Sequence, residues 1–386
     1  MSIQNRVRSE GIRGQSFDPG NDHDFLLERS RFSVDLTPQT WLGFFGEVQD
    51  SRAFWFPRAD GSVKDTLDLR QAYVRFGDEK GFWDLKVGRQ RLAFGTERMI
   101  GAAEWGNTAR VFDAARLGFH WGGKDRVDIF SSSTVASDVD HWDHHRQGNN
   151  LHGIYGSLGS WIPGAKVEPY LILRDDHNAS YHSWTTGLRM TGSLAKVWAY
   201  DIDTQRQTGA SRANSLSAWA FTFRGDRFFP TLRWQPSLMT EFNYASGDRH
   251  PGDGITNTLD QLYPTNHGIY GVADVIGRRN AKNIRGGLWI RPRRWLTLKT
   301  EGHGFWLASR YDGLYVASGA LAVNVPVTGA ATTHVGNEID IIGEVKLNRH
   351  YDIGAQFGHL FSGAFLDRYT SGGDRGFYAV FLDWRL

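Results

Sequence analysis

The chain has 386 residues, with 44 Lys and Arg against 42 Asp and Glu, 14 His and a formal net charge of +2. So even a balance points to no nucleic-acid partner and no charged tail, and the absence of Cys excludes a disulfide framework, a thiolate metal site and a Cys nucleophile. The 15 Trp, 24 Phe, 13 Tyr and 45 Gly beside 4 Met are the currency of strands and tight turns. Mean hydropathy is −0.44 and the longest clear apolar run is Phe377 to Leu382, whereas a spanning helix needs about 20 apolar residues. No helix of this chain crosses a bilayer, but a transmembrane barrel alternates lipid-facing and lumen-facing side chains and so looks only weakly hydrophobic. The opening MSIQNRVRSE lacks the apolar stretch of a secretory signal; an exported form is expected to be a mature chain with an added or relabelled start.

Period-2 alternation predicts strands near residues 2–11, 24–36, 41–50, 67–77, 82–92, 111–121, 126–134, 149–159, 166–174, 182–192, 195–206, 214–224, 234–245, 282–291, 295–307, 334–347, 350–361 and 376–386. TPQT, GDEK, GGKD, IPGA and NRHY are short turns, and the connectors near 51–66, 93–110, 246–281 and 308–333 are long. An even number of antiparallel strands, with short turns at one end and long loops at the other, is the pattern of an outer-membrane barrel. The expected fold is all-β: a single transmembrane antiparallel β-barrel domain over residues 1–386, of about 18 strands. A sandwich predicts no alternation of connector length, and a propeller predicts repeats at a fixed period, which the sequence lacks.

Ala115, Leu117, Phe119, Trp121, Val167, Leu171, Leu173, Ile284, Leu288, Ile290, Ile339, Ile341, Val345, Leu347, Tyr378, Val380 and Leu382 fall on one parity and are expected to face lipid. The other parity carries Arg29, Arg31, Arg116, Glu168, Arg174, Arg189, Glu241, Arg285, Lys299, Glu301, Glu338, Asp340, Glu344 and Asp352. A water-filled lumen accommodates those charges where a dry core would not. Glu28, Asp50, Arg70, Arg89 and Arg91 break the outward parity, and are expected where strands project beyond the apolar band on the extracellular side. Trp83, Trp121, Trp295 and Trp384 suit an interfacial aromatic girdle.

The stretch from Thr258 to Asn280, TLDQLYPTNHGIYGVADVIGRRN, follows neither a helical stripe nor a strand. Structureless connections beyond about 12 to 15 residues are usually functional or disordered, and this one is too rich in Leu, Ile, Val and Tyr for a solvated linker. It is expected to be an ordered extracellular lid, its apolar residues packed on neighbouring loops and its polar ones lining the mouth.

From Leu69 to Phe119 the sequence reads LRQAYVRFGDEKGFWDLKVGRQRLAFGTERMIGAAEWGNTARVFDAARLGF. Its LRQAY strand start, VGRQ-L-G strand end and W-NT-R-FD loop resemble the alginate-export family of outer-membrane porins. The blocks DQLYPTNHGIYGVADVIGRRN and HGFWLASRYDGLYVASG continue the likeness in order, so it covers nearly the whole chain. The resemblance implies an eighteen-stranded barrel in the bacterial outer membrane, with an Arg-rich lumen that passes an anionic polysaccharide or related acidic sugar outward. The inward parity here holds carboxylates and cations in similar numbers, so the pattern by itself does not establish an anion-selective bore.

Rings of Arg and Lys select anions by replacing lost hydration with fixed charge and N–H donors, and must bind weakly enough to let the solute leave. The candidates for such a ladder are Arg29, Arg31, Arg116, Arg174, Arg189, Arg285 and Lys299, with Asp201, Glu241, Glu301, Asp340 and Glu344 pairing some of them; a salt-bridge network that merely braces the wall is the alternative. Arg91, Glu97, Arg98, Glu104, Asn107, Arg110 and Asp113 lie in or beside the 93–110 connector, and Asp260, Tyr263, Asn266, His267, Arg278, Arg279 and Asn280 in the long irregular stretch; these are the candidate gate residues. The short turns offer no periplasmic plug. DVDHWDHH, Asp138 to His145, has metal-ligand chemistry but reads as a solvated polar tip, and no metal or cofactor is assigned. No phosphate loop, HExxH or GxSxG occurs, and His152, His303 and His359 near serines define no triad, so no enzyme is expected. Expected partners are outer-membrane lipid and lipopolysaccharide, an anionic polysaccharide or oligosaccharide, and a periplasmic export assembly, for a monomeric channel. The competing readings are an uptake porin for small anions or oligosaccharides, and a soluble Trp-rich sugar-binding β-protein that would fold without detergent.

Overall fold

A computed structural model describes residues 1–56 and 59–386; positions 57 and 58, within the connector expected at 51–66, lie outside the described residues. One sheet joins nineteen hydrogen-bonded segments, of which the two-residue Ile255–Thr256 merely lies parallel to the start of Asn214–Phe228, leaving eighteen long strands. They are Ser2–Arg13, His23–Gln39, Leu42–Phe54, Asp65–Gly77, Trp83–Gln90, Phe112–Trp121, Asp125–Ala136, His144–Ile162, Ala165–Asp176, Tyr181–Leu194, Trp198–Ser211, Asn214–Phe228, Ser237–Ala245, Ala281–Arg293, Leu296–Leu307, His334–Lys346, Tyr351–Ser362 and Arg375–Arg385. Each pairs antiparallel with the next, and the first pairs with the last. The sheet is therefore a closed barrel with no free edge, which is what a strand protein needs in order to satisfy its backbone within lipid. All eighteen expected segments are present; the largest changes of boundary are at His144–Ile162, which starts at 144 instead of 149, and at Trp198–Ser211, which ends at 211 instead of 206.

Connectors at one end are turns such as 122–124, 163–164 and 294–295, and those at the other include 91–111, 246–280, 308–333 and 363–374. The alternation of length is not strict, because 177–180 and 212–213 at the loop end are also short. There the strand ladders run right up to the hairpin, Tyr181 pairing with Asp176 and Ser211 with Asn214, so tight turns suffice.

Period-2 burial follows the expected parity in most strands. In His334–Lys346, Glu338 and Asp340 are buried while Ile339 and Ile341 are 45% and 52% exposed, the arrangement of a wall with lipid on one side and protein on the other. Trp83, Trp121 and Trp295 are exposed near the turn end, joined there by Trp41, Trp161 and Trp198.

Three outward assignments fail, at Arg70, Arg91 and Val167. Opposite Leu42–Phe54, Gln71 pairs with Glu47 and Leu69 with Val48, so Arg70 occupies a bulge without a cross-strand partner; the extra residue resets the parity and turns Arg70 inward, where it meets Glu47 and Glu104. Arg91 lies just past the end of Trp83–Gln90 and also bends to Glu104. Val167, expected to face lipid, is buried beside a register shift in the preceding hairpin.

The bore is not wholly aqueous. Phe305, Leu360, Phe377 and Ala379 of the wall form one apolar cluster with Tyr270, Val272, Ala273, Val275 and Ile276 of the 246–280 connector and with Phe365 and Leu366 of a short helix, Ala364–Tyr369. The long irregular stretch is thus ordered, as expected, but packs into the barrel instead of lying over its mouth.

Candidate functional site

Two loops meet inside the barrel. The 91–111 connector leaves the Trp83–Gln90 and Phe112–Trp121 hairpin, yet its residues bond to strands at the start of the chain and to Ser237–Ala245. Partners so far apart around the wall can be reached only through the interior. The 246–280 connector behaves likewise: Asp260 binds Arg174 at 2.7 Å, Tyr263 donates to Asn149 at 2.5 Å, and the Val272 and Ala273 amides donate to Asp340 and Glu338.

The two loops are zipped together. A parallel bridge joins Ile100 to Tyr263, with Tyr263 N–H donating to the Met99 carbonyl at 2.7 Å, Gly101 N–H to the Tyr263 carbonyl at 2.9 Å, and Thr265 N–H to that of Glu97 at 2.9 Å. Arg110 donates to the carbonyls of Gly101, Tyr263 and Pro264; desolvation among the loops pulls its pKa down to about 10, still well above neutrality. The Glu97 carboxylate accepts from the Thr265 hydroxyl and the Ala102 amide. Below this zipper Trp105 stacks on His267 at 4.2 Å and 6°, with the Arg8 guanidinium 4.0 Å from the indole centroid.

The tip of the 91–111 loop is held by arginines. Arg6 donates to the carbonyls of Glu104, Trp105 and Gly106, Arg8 to that of Trp105, and Arg29 to those of Glu104 and Gly106. The Glu104 carboxylate then receives Arg31 at 2.8 Å, Arg70 at 2.6 Å, Arg91 at 3.1 Å and, more distantly, Arg29 at 3.7 Å. Burial alone would raise its pKa, but Arg70, Arg31, Arg91 and Arg29 outweigh burial and hold Glu104 ionised far below the ordinary carboxylate range. Asn107 anchors the same tip through the carbonyls of Glu28, Arg52 and Val63.

Around this tip lies a cavity of about 590 Å³ whose side chains include Arg6, Arg29, Arg31, Arg91 and Arg385 against Glu47, Glu104 and Asp383, five cations to three anions. Arg70 lines the neighbouring cavity of about 560 Å³, toward the loop end. A third cavity, of about 510 Å³, holds Arg98, Arg224, Arg285 and Lys299 against Asp201, Asp226, Glu301 and Glu344, four to four.

The predicted ladder is therefore divided. Arg29 and Arg31 join the cationic cavity. Arg116 is paired with Asp128, Arg174 with Asp176 and Asp260, Arg189 with Asp201 and Glu168, Arg285 with Glu301, and Lys299 with Glu344. Those five brace the wall or anchor loops, and the structure does not bring the seven into one file. Glu241 receives Arg98 at 3.0 Å, and Asp113 receives Arg89 at 2.8 Å. Asn266 reaches Gln261 and the Ala317 carbonyl, His267 lies between Asp274 and Gln356, Arg279 caps the Gly319 carbonyl, and Asn280 ties together Ser309, Asp312 and Gly313. Arg278, 1% exposed, reaches Thr222 and Asp203. The sequence reading missed Arg6 and Arg8, which the alternation Arg6, Arg8, Glu10 marks, and placed Arg70 on the outward parity, since nothing local marks its bulge.

The family model for alginate export matches residues 1–375. The chain belongs to the alginate export family. Among curated proteins, none matches the sequence. Solved structures similar to this alginate export family member include Acinetobacter baumannii OccAB2 (TM-score 0.68, 9% identity, 100% of this chain and 97% of that one). Pseudomonas aeruginosa OpdQ (0.65, 10%, 100% and 98%) and OccD3, or OpdP (0.64, 11%, 100% and 91%), are also similar. At such identities the likeness is one of fold. Family and barrel together make the protein a channel of the bacterial outer membrane, of a non-enzymatic class.

Proposed function

We propose that this alginate export family member is an anion-preferring channel for carboxylate-bearing saccharides of the alginate type, moving them outward along the arginines that surround Glu104. The observation that carries the reading is the excess of five cations over three anions in the cavity at the tip of the 91–111 loop. Glu104 sits there as a resident carboxylate, offering Arg31, Arg70 and Arg91 the same chemistry as a uronate. An incoming sugar carboxylate exchanges with it at each step, so no arginine is stripped bare and no site holds the solute tightly. A polymer needs the two zipped loops to part, a step an export assembly on the periplasmic side would drive.

A second reading, uptake of small anions or oligosaccharides, is favoured by the interlocked loops themselves, because cavities of about 510 to 590 Å³ fit short solutes without loop motion. Planar-bilayer recordings under a salt gradient, with acidic and neutral oligosaccharides added in turn, test both. Anion selectivity and block by acidic sugars of increasing length support export; block by short acids alone supports uptake, and cation selectivity overturns the arginine path.

A further inference from the structure

The polar segment Asp138 to His145 is not simply a solvated tip. Its Asp143 is drawn onto the wall: the Asp143 N–H donates to Asp68 Oδ2 at 2.5 Å, and Arg89 donates to the Asp143 carbonyl at 3.1 Å. This brings carboxylate oxygens of Asp65, Asp68 and Asp143 within 4.8 Å of one another at the loop end of the barrel. Asp65 and Asp68 are 4% and 2% exposed, and each keeps one buried oxygen, Oδ1, with no hydrogen-bond partner. Among the described residues none of the three carboxylates forms an ion pair; Arg89 has its own partner in Asp113 at 2.8 Å. Three carboxylates so placed repel one another, and a cation between them would relieve that repulsion.

We propose that Asp65, Asp68 and Asp143 bind one Ca²⁺ ion. The donors are all hard oxygens, which suit Ca²⁺ and other hard divalent ions over Zn²⁺ or Cu²⁺. Ca²⁺ takes about 6 to 8 oxygens in flexible geometry, and the adjoining cavity of about 560 Å³, lined in part by Asp65, Asp143, Ser62 and Ser137, has room for the waters that complete the shell. The ion would fasten the 137–143 connector to the start of Asp65–Gly77. The neighbouring connector already lies against it, since a Cβ on Gly61 would collide with the Ser137 carbonyl. The site would thus set the shape of the extracellular mouth, and an affinity in the range of extracellular modules, about 10⁻⁴ to 10⁻³ M, matches its position.

The test uses the full chain in detergent after EDTA treatment. Calorimetric titration with CaCl₂ should give one saturable site, and Tb³⁺ luminescence sensitised by the adjacent Trp142 should be displaced by Ca²⁺ far better than by Mg²⁺. Asp65→Asn is nearly isosteric and should weaken Ca²⁺ binding by at least about tenfold. Thermal unfolding supplies a sign reversal: in EDTA the variant should melt at or above the parent, because a repulsion is relieved, and in Ca²⁺ the parent should melt higher. No saturable binding, equal binding by the variant, or a variant that melts lower under both conditions would overturn the assignment.

Discussion

Glu104 shows how one side chain can set the character of a bore. An Arg and a carboxylate 4 Å apart attract by about 4 kcal/mol at an effective dielectric of about 20, and Glu104 faces four arginines at 2.6 to 3.7 Å. Glu104→Gln keeps the shape and removes the charge, so the arginines gain unsatisfied positive potential. Reversal potentials should shift toward stronger anion selectivity, and block by acidic oligosaccharides should tighten by about tenfold, an effect of only 1.4 kcal/mol. Unchanged selectivity would mean that solutes take another path. At this scale the sequence was a partial guide. Arg29 and Arg31 were legible from parity, but Arg116, Arg174, Arg189, Arg285 and Lys299 share that parity and are neutralised by partners on neighbouring strands or loops, which no one-dimensional pattern discloses.

Among elements, the strands were written plainly and the loops were not. A strand declares itself by alternation because lipid and protein lie on opposite faces, whereas the path of 91–111 and 246–280 depends on what each meets across the bore. The Leu, Ile and Val content of the irregular stretch announced burial but not its place. The junction between these loops carries its own titration. Burial would lower the pKa of His267, but Asp274, Gln356 and Glu10 outweigh it and raise the value above the ordinary 6.5. A raised folded-state value stabilises the junction fully below about pH 6.5, and that contribution is lost as pH rises through the raised value. Channel openings should therefore become more frequent toward alkaline pH in the parent. In His267→Gln, which keeps no titrating ring on Trp105, that dependence should flatten; an identical pH profile in both proteins would assign gating to other groups.

For the molecule as a whole, stability rests on a wall whose outer face must remain apolar. Ile341, 52% exposed midway along His334–Lys346, meets lipid, and Ile341→Arg should cost about 2 to 4 kcal/mol of folding stability, as a cation does near the bilayer midplane. Denaturant titration of the barrel refolded into liposomes measures this, and a cost near zero would place Ile341 outside the apolar band. Closure of that wall also relates the two ends of the chain: Ile3 N–H donates to the Leu386 carbonyl at 3.1 Å and Leu386 N–H to that of Ile3 at 2.9 Å. Residues 3 and 386 are thus neighbours at the turn end of the closed ring. A circular permutant joined there through a short linker and reopened at the Gly122–Gly123 turn would keep the strand ladders and both crossing loops, while making what was the last hairpin to be synthesised an interior one.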